Sequence, residues 1–261
     1  MSTDIVLAER QGDVVLITLN RPEARNAMNH ELAQATVDAI TDAQDAGAIV
    51  ITGAGKAFCA GLDLRDLGVD RLAQLPPFNA TAAASRVPIV AAVNGPAVTG
   101  GFELALACDF MVGCERAAFA DTHLRVGVYP GPVLVDLPRR VGMARAREMS
   151  LTGNFVDADT ALRIGLINHL VPHEELVPFA LGLAQAIAEQ DRGMVAAMRD
   201  DWNETGGLLL ADAHRTHIAN GEKGGYRSST NEQLASNREA VLARSRNQRA
   251  GFAAGPPASG A

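Results

Sequence analysis

The apolar positions change rhythm along the chain, and each change predicts an element. Val14 to Leu19 is apolar and β-branched at nearly every position, which predicts a buried strand. The Asn20-Arg21-Pro22-Glu23 turn follows, and then a helical spacing from about Asn29 to Ala46. Ile49 to Thr52 predicts the next strand. A loop from Gly53 to Phe58 leads to a glycine turn, after which Leu62 to Leu67 predicts a short helix with Asp63 in its first turn. An irregular segment runs through Pro76-Pro77. Ile89 to Val93 predicts another strand, stopped by Asn94-Gly95-Pro96, and Gly100 to Ala107 predicts a helix. Phe110 to Val112 and Ala117 to Phe119 predict short strands. Beyond Gly142 the pattern is mostly helical, at Ala144 to Ser150, Asp157 to Arg163, Glu174 to Gln190, Leu208 to Asn220 and Asn231 to Gln248. Strands come early and helices late, without an internal repeat. The predicted organisation is a core domain over residues 1–195, a helical region over 196–250 and a disordered tail over 251–261, where Gly, Pro, Ala and Ser leave one Phe to bury.

Two glycine-bearing segments interrupt this alternation, Lys56-Ala57-Phe58-Cys59-Ala60-Gly61-Leu62-Asp63 and Asn94-Gly95-Pro96-Ala97-Val98-Thr99-Gly100-Gly101-Phe102-Glu103. Each sits between a strand pattern and a helix pattern. Two such turns can aim backbone N–H groups at one oxygen atom, and glycine lets a substrate come closer than a side chain would allow. Read alone, Gly100 and Gly101 serve equally well as a tight strand-helix junction. Glu103, flanked by Phe102, Leu104, Ala105, Leu106 and Ala107, lies on a helix predicted to be buried nearly all round. Burial would raise its pKa toward the range of a general base, while a first-turn glutamate that only complements the helix dipole is the plainer reading.

Composition narrows the class. With 261 residues, 48% hydrophobic and 20% charged, the chain can bury a large core as one main domain. A net charge of -7 gives no support to a nucleic-acid partner, although a local basic patch can still hold a polyanionic ligand. Asp4 and Glu9 break the basic-then-apolar order of a secretory signal, so a cytoplasmic protein is expected. Asn94, Glu103 and Asp109 interrupt the longest apolar region, so no membrane association is expected. Three cysteines, Cys59, Cys108 and Cys114, suit reduced core thiols better than a disulfide framework.

The segments Phe58-Cys59-Ala60-Gly61-Leu62-Asp63 and Ala91-Ala92-Val93-Asn94-Gly95 through Cys108-Asp109 resemble the signatures of the enoyl-CoA hydratase/isomerase (crotonase) superfamily. Asn20-Arg21-Pro22, Asn26-Ala27-Met28-Asn29, Leu151-Thr152-Gly153 and Ala161 to Leu166 match in the same order, so the resemblance covers roughly Val14 to Val171. It implies an α/β fold, a crotonase-like spiral of strand-strand-helix units with a helical C-terminal trimerisation region, assembled as a homo-trimer or a dimer of trimers. It also implies an acyl-CoA substrate, no cofactor besides the coenzyme A of the substrate, and hydration of a trans-2-enoyl-CoA thioester. Double-bond isomerisation, thioester hydrolysis and non-catalytic acyl-CoA binding are the alternatives.

Carried over by position, the oxyanion-hole N–H groups fall on Ala60 and Gly100, and Glu103 matches one of two glutamates that hold and activate water. Gly100 suits the part physically, because the first amides of a helix lack intrahelical partners and face the positive end of the dipole. The second glutamate is missing. Its place falls on His123, which can exchange protons near neutral pH or act as polar filler. Asp121 and Tyr129 are nearby alternates read as structural. The backbone around Ala24 and Arg25 matches the region that contacts CoA, where an exposed loop arginine is an equal reading; Lys56 is placed near the CoA phosphates, and Gly61, Leu62 and Asp63 complete the substrate-binding set.

Other patterns fail on chemistry. Gly53-Ala54-Gly55-Lys56 lacks the first glycine and the final Ser or Thr of a phosphate loop, with Val50 and Ala57 in those places. His169 and His173 are separated by Pro172 and lack a glutamate partner, and His214 and His217 lack a third ligand, so no metal site is expected.

Overall fold

A computed structural model describes residues 4–63, 65, 75–224, 238 and 242. β1 (Val6–Gln11) and β2 (Val14–Leu19) form an antiparallel hairpin, and α1 (His30–Asp42) returns the chain to β3 (Ala48–Gly53), parallel to β2. α2 (Phe78–Ala83) precedes β4 (Ile89–Val93), β5 (Pro96–Val98) and α3 (Gly100–Ala107). Then come β6 (Phe110–Cys114), β7 (Ala118–Ala120), α4 (Val133–Val141) and α5 (Met143–Thr152). β8 (Val156–Asp157), α6 (Ala158–Arg163), β9 (His169–Val171) and α7 (Leu176–Ala188) follow, and α8 (Arg192–Thr205) and α9 (Leu210–Lys223) end the described elements.

Two sheets share the chain alternately. The larger has the order β1-β2-β3-β4-β6-β9 and the smaller β5-β7-β8, so β4 and β5, and again β6 and β7, each place one strand in either sheet before the chain turns into its next helix. That alternation is a spiral of strand-strand-helix turns. Its strands read as continuous apolar runs because both faces of the large sheet are covered. Val15, Ile17 and Leu19 pack with Leu32, Ala33 and Ile40 of α1 on one face. Val14 and Leu16, one residue out of phase, pack with Leu176, Ala180 and Ala184 of α7 on the other. The four-residue spacing on α7 keeps those three side chains on one stripe. Burying each large aliphatic side chain contributes about 1.5–3 kcal/mol.

The chain forms two compact units that divide after Ala196. Within the second, Asp201 of α8 accepts hydrogen bonds from His217 Nδ1 at 2.6 Å and Asn220 Nδ2 at 2.9 Å, tying α8 to α9. Among the described residues no helix is long and apolar enough to cross a membrane.

Short and weakly apolar elements account for the differences from the sequence reading. β1 is half-buried or exposed throughout, β5 begins at a proline inside the glycine segment, and β8 and β9 are two and three residues long. α2 falls in the irregular segment, α4 contains Pro138, and α8 has no buried residue to mark its face. α1 stops at Asp42, short of Ala46. The predicted helix at Leu62–Leu67 lies mostly outside the described residues, and Leu62 itself forms a parallel bridge with Met28. The predicted helix at Asn231–Gln248, apart from helical Arg238 and Leu242, and the tail 251–261 also lie outside them.

Two buried asparagines fix the loop after β3. Asn26 holds a positive φ of 56°, which asparagine tolerates better than most residues, and its Nδ2 donates to the carbonyls of Ala54 (3.0 Å), Ala57 (2.9 Å) and Phe58 (3.1 Å). Its Oδ1 accepts from the Arg21 amide at 2.9 Å. Asn94 Oδ1 accepts from the Gly53 amide at 3.1 Å, while its Nδ2 donates to Gly55 at 3.1 Å and Ala57 at 3.4 Å. Asn26→Asp would turn a carboxylate oxygen toward three carbonyls, a loss of about 3 kcal/mol or more at pH 7. Urea unfolding should show that loss, partly regained near pH 4 as the carboxyl protonates. Wild-type stability at pH 7 would mean that the amide does not hold the loop.

Candidate active site

The two glycine segments meet backbone to backbone. Cys59 and Ala97 form a parallel bridge, the Phe58 and Cys59 amides both donate to the Pro96 carbonyl, and the Val98 amide donates back to Cys59 at 3.0 Å. Two glycines permit the contact, since a Cβ on Gly95 would stand 2.3 Å from the Lys56 carbonyl oxygen and one on Gly101 2.3 Å from that of Cys59. Gly100 is different. Its φ is not in the left-handed region, and a Cβ there would meet nothing nearer than Leu62 Cδ2 at 3.4 Å. Neither strain nor crowding explains the glycine, and its amide, at the first position of α3, has no acceptor among the described residues.

Thr99 aims that helix start from a strained backbone, φ 52° and ψ -115°, rare for a β-branched residue. It is pinned on three sides. Its amide donates to Ala120 at 2.9 Å, its carbonyl accepts from the Glu103 amide at 2.9 Å, and its hydroxyl shares a 2.7 Å hydrogen bond with that of Thr122.

Ala60, the other expected oxyanion-hole donor, has its amide engaged within the fold. Its N–H donates to the Arg25 carbonyl at 3.0 Å, so an incoming oxygen would share that hydrogen or displace Arg25. Arg25, at φ 53°, is exposed with Lys56, and Ala24 is half-buried beside it. Asp63 is buried against Arg21, accepting from Nη2 at 3.2 Å, and therefore holds the fold rather than presenting a free carboxylate. Gly61 has φ 96°, and a Cβ on it would stand 2.9 Å from the Val98 carbonyl oxygen. Ala60, Leu62, Thr99, Thr122, His123, Val126 and Val128 line a cavity of about 110 Å³.

Behind His123 lies the acidic group of the site. Glu103 Oε1 accepts from the Val133 amide at the start of α4 at 3.3 Å and lies 3.9 Å from His123 Nε2, while Oε2 faces Asn79 Nδ2 at 3.4 Å. The other side of the imidazole is fixed, with Nδ1 2.6 Å from Asp121 Oδ1. Asp121, Glu103 and His123 are all buried. Asn79, on α2, went unnoticed in the sequence because no periodic pattern surrounds it; its Oδ1 is buried without a partner among the described residues. Tyr129 is 85% exposed and joins none of this. His169 meets Phe179 edge-on, His173 lies 3.5 Å from the Cys114 thiol, and no group of three or more ligating side chains occurs among the described residues.

Residues 9–223 match the enoyl-CoA hydratase/isomerase family. The chain belongs to that family. It is 35% identical over 257 residues to a probable peroxisomal enoyl-CoA hydratase 1 of Arabidopsis thaliana, covering 92% of this chain and 93% of that one. A probable enoyl-CoA hydratase of Rhizobium meliloti is 40% identical over 225 residues, covering 82% and 87%. The crystal structure of enoyl-CoA hydratase from Bacillus anthracis superposes with a TM-score of 0.84 at 26% identity, covering 91% of this chain and 97% of that one.

Within this hydratase/isomerase fold the electrostatics separate the acids. Burial pushes the Glu103 carboxyl above its ordinary 4.5, against the pull of His123 and the amide donors at Val133 and Gly131. Asp121 goes the other way. Burial would raise it, but the hydrogen bonds from the His123 ring and backbone amide outweigh burial and hold it below the ordinary value. Burial also pushes the Cys59 thiol up to about 12, which removes it as a nucleophile beside Ala60.

Because the folded protein binds the Glu103 proton more tightly than the unfolded chain does, this residue's contribution to stability falls as pH rises from about 4.5 to the raised folded value. Glu103→Gln keeps the acceptor for Val133 and removes the buried charge. It should raise the unfolding temperature by a few degrees at pH 8, with the gain vanishing below about pH 4. A variant less stable than wild type at pH 8 would show that ionised Glu103 is not a burden on the fold.

Proposed function

We propose that this chain adds water across the double bond of a trans-2-enoyl-CoA thioester. The observation that carries the reading is the placement, one turn apart on α3, of an amide at Gly100 without an acceptor among the described residues and a buried carboxylate at Glu103. The free amide of a first helical residue points out of the N-terminal end of the helix, and Glu103 follows within the same first turn, so a substrate seated against that end can meet both groups. The thioester oxygen would receive the Gly100 N–H and a share of the Ala60 N–H. As water attacks the β carbon, the π electrons move toward the thioester carbonyl and its oxygen gains charge. Fixed donors in a water-poor site are worth about 3 to 4 kcal/mol each at that point. Glu103 takes the proton that water loses, and His123, in the cavity wall, delivers one to the α carbon. No further cofactor is required, because the amides polarise the thioester and the side chains carry the protons.

Exposed Arg25 and Lys56 supply positive charge for the CoA phosphates on a chain of net charge -7. One observation favours double-bond isomerisation as the second reading: His123 lines the cavity and Glu103 does not, an arrangement suited to moving one proton between carbons without water. Exposed Trp202, Leu209 and Leu210 support assembly as a homo-trimer or a dimer of trimers. Light scattering should then give three or six times 27.4 kDa, and the mass of one chain would refute the assembly.

Gly100→Ala tests the reading with little risk to the fold, since its Cβ has space in the protein and a better helix propensity than glycine. Stability should stay within about 1 kcal/mol. Turnover of crotonyl-CoA to 3-hydroxybutyryl-CoA should fall by about 100-fold or more as the methyl group displaces the carbonyl. Unchanged turnover would remove Gly100 from the chemistry. A product with a moved double bond and no added water would select isomerisation.

A further inference from the structure

We propose that Asp121 is the positioning residue that lets His123 replace a second catalytic carboxylate, by fixing the imidazole so that Nε2 faces both the cavity and Glu103. Three observations converge on this arrangement. Asp121 Oδ1 takes the His123 ring at 2.6 Å and also the His123 backbone amide at 3.3 Å, so one oxygen sets both the ring and its main chain. Thr122, between them, is tied by its hydroxyl to Thr99 at the start of α3, which holds the turn in register with the helix that carries Gly100 and Glu103. The titratable groups facing the ring are Asp121 from its own turn and Glu103 from α3, with Nε2 left 3.9 Å from Glu103 Oε1.

A carboxylate on Nδ1 selects the tautomer that carries hydrogen there, leaving Nε2 to exchange protons, and it stabilises the imidazolium when Nε2 also gains one. The cycle then closes on this chain's own groups. Water loses a proton to Glu103 as its oxygen bonds to the β carbon. Protonated Glu103 passes that proton to Nε2, and the enolate takes a proton at the α carbon from Nε2 of the imidazolium so formed. One water is consumed, and both side chains end as they began. A single carboxylate thus suffices, provided that Asp121 holds the relay in line.

This inference rests on the hydration reading for its turnover arm alone; the tautomer arm stands apart from it. Nitrogen-15 NMR of ring-labelled protein should show His123 carrying hydrogen on Nδ1 in the free wild type, in a signal absent from His123→Gln. In Asp121→Asn that tautomer should be lost, with kcat on crotonyl-CoA down about 100-fold or more and KM within a few-fold. Wild type with hydrogen on Nε2 instead, or an Asp121→Asn variant that keeps both tautomer and kcat, would overturn the proposal. So would lost kcat with the tautomer intact, which marks Asp121 as packing only. Should Asp121→Asn fail to fold, the wild-type tautomer still decides. If the tautomer follows Asp121 while wild type hydrates no enoyl-CoA, the positioning stands and the hydration reading fails.

Discussion

Everything in the site depends on two stretches of backbone lying against each other with no side chain between them. The 56–60 turn and the 95–101 stretch touch through Gly95 and Gly101, where any Cβ would come within 2.3 Å of a carbonyl oxygen. Such contact costs each glycine conformational entropy in the unfolded chain. It is offset by the amide–carbonyl ladder around Pro96 and Cys59 and by the buried side-chain amides of Asn26 and Asn94, which satisfy carbonyls that the loop could not otherwise pair. The reward is positional. α3 begins where the two segments meet, so its first amides are delivered to one place by a rigid frame.

That frame tolerates two unfavourable features. Thr99 keeps a backbone conformation that threonine avoids, and Glu103 keeps a carboxyl group in a site that resists its ionisation. Both sit within one turn of α3, and both are compensated from outside it, Thr99 by Ala120 and Thr122 and Glu103 by the Val133 amide at the start of α4. Asp121 is the counterweight on the far side of His123. It is held ionised by the same imidazole that faces Glu103, so the two carboxyl groups differ in proton affinity although one ring lies between them. A group that is poised to take a proton and a group that stays charged are the two ends of a directed relay.

Much of this was legible in the residues, and the rest was not for identifiable reasons. The central strands and α3 are apolar on both faces, so Ile89–Val93 and Gly100–Ala107 could be placed from pattern alone. The burial of Glu103 followed from its neighbours. β5 and β8 are too short to carry a period, and α8 has no buried stripe, so none of the three leaves a signature. The engagement of the Ala60 amide by Arg25 depends on positive φ angles at Arg25 and Asn26, which no residue type there announces. Asp121 was visible as a neighbour of His123, but its grip on Nδ1 depends on where β7 ends and how Thr99 anchors Thr122.

The central claim is that the start of α3, with the Ala60 turn, polarises a thioester carbonyl. Infrared difference spectroscopy of crotonyl-CoA, labelled with carbon-13 at the carbonyl and bound to Glu103→Gln protein to stall turnover, reads that polarisation at the bond itself. The carbonyl of the bound thioester should stretch at lower wavenumber than in water and return toward the free value when Gly100→Ala is added. A bound thioester whose carbonyl stretch matches that of the free ligand would contradict the central claim.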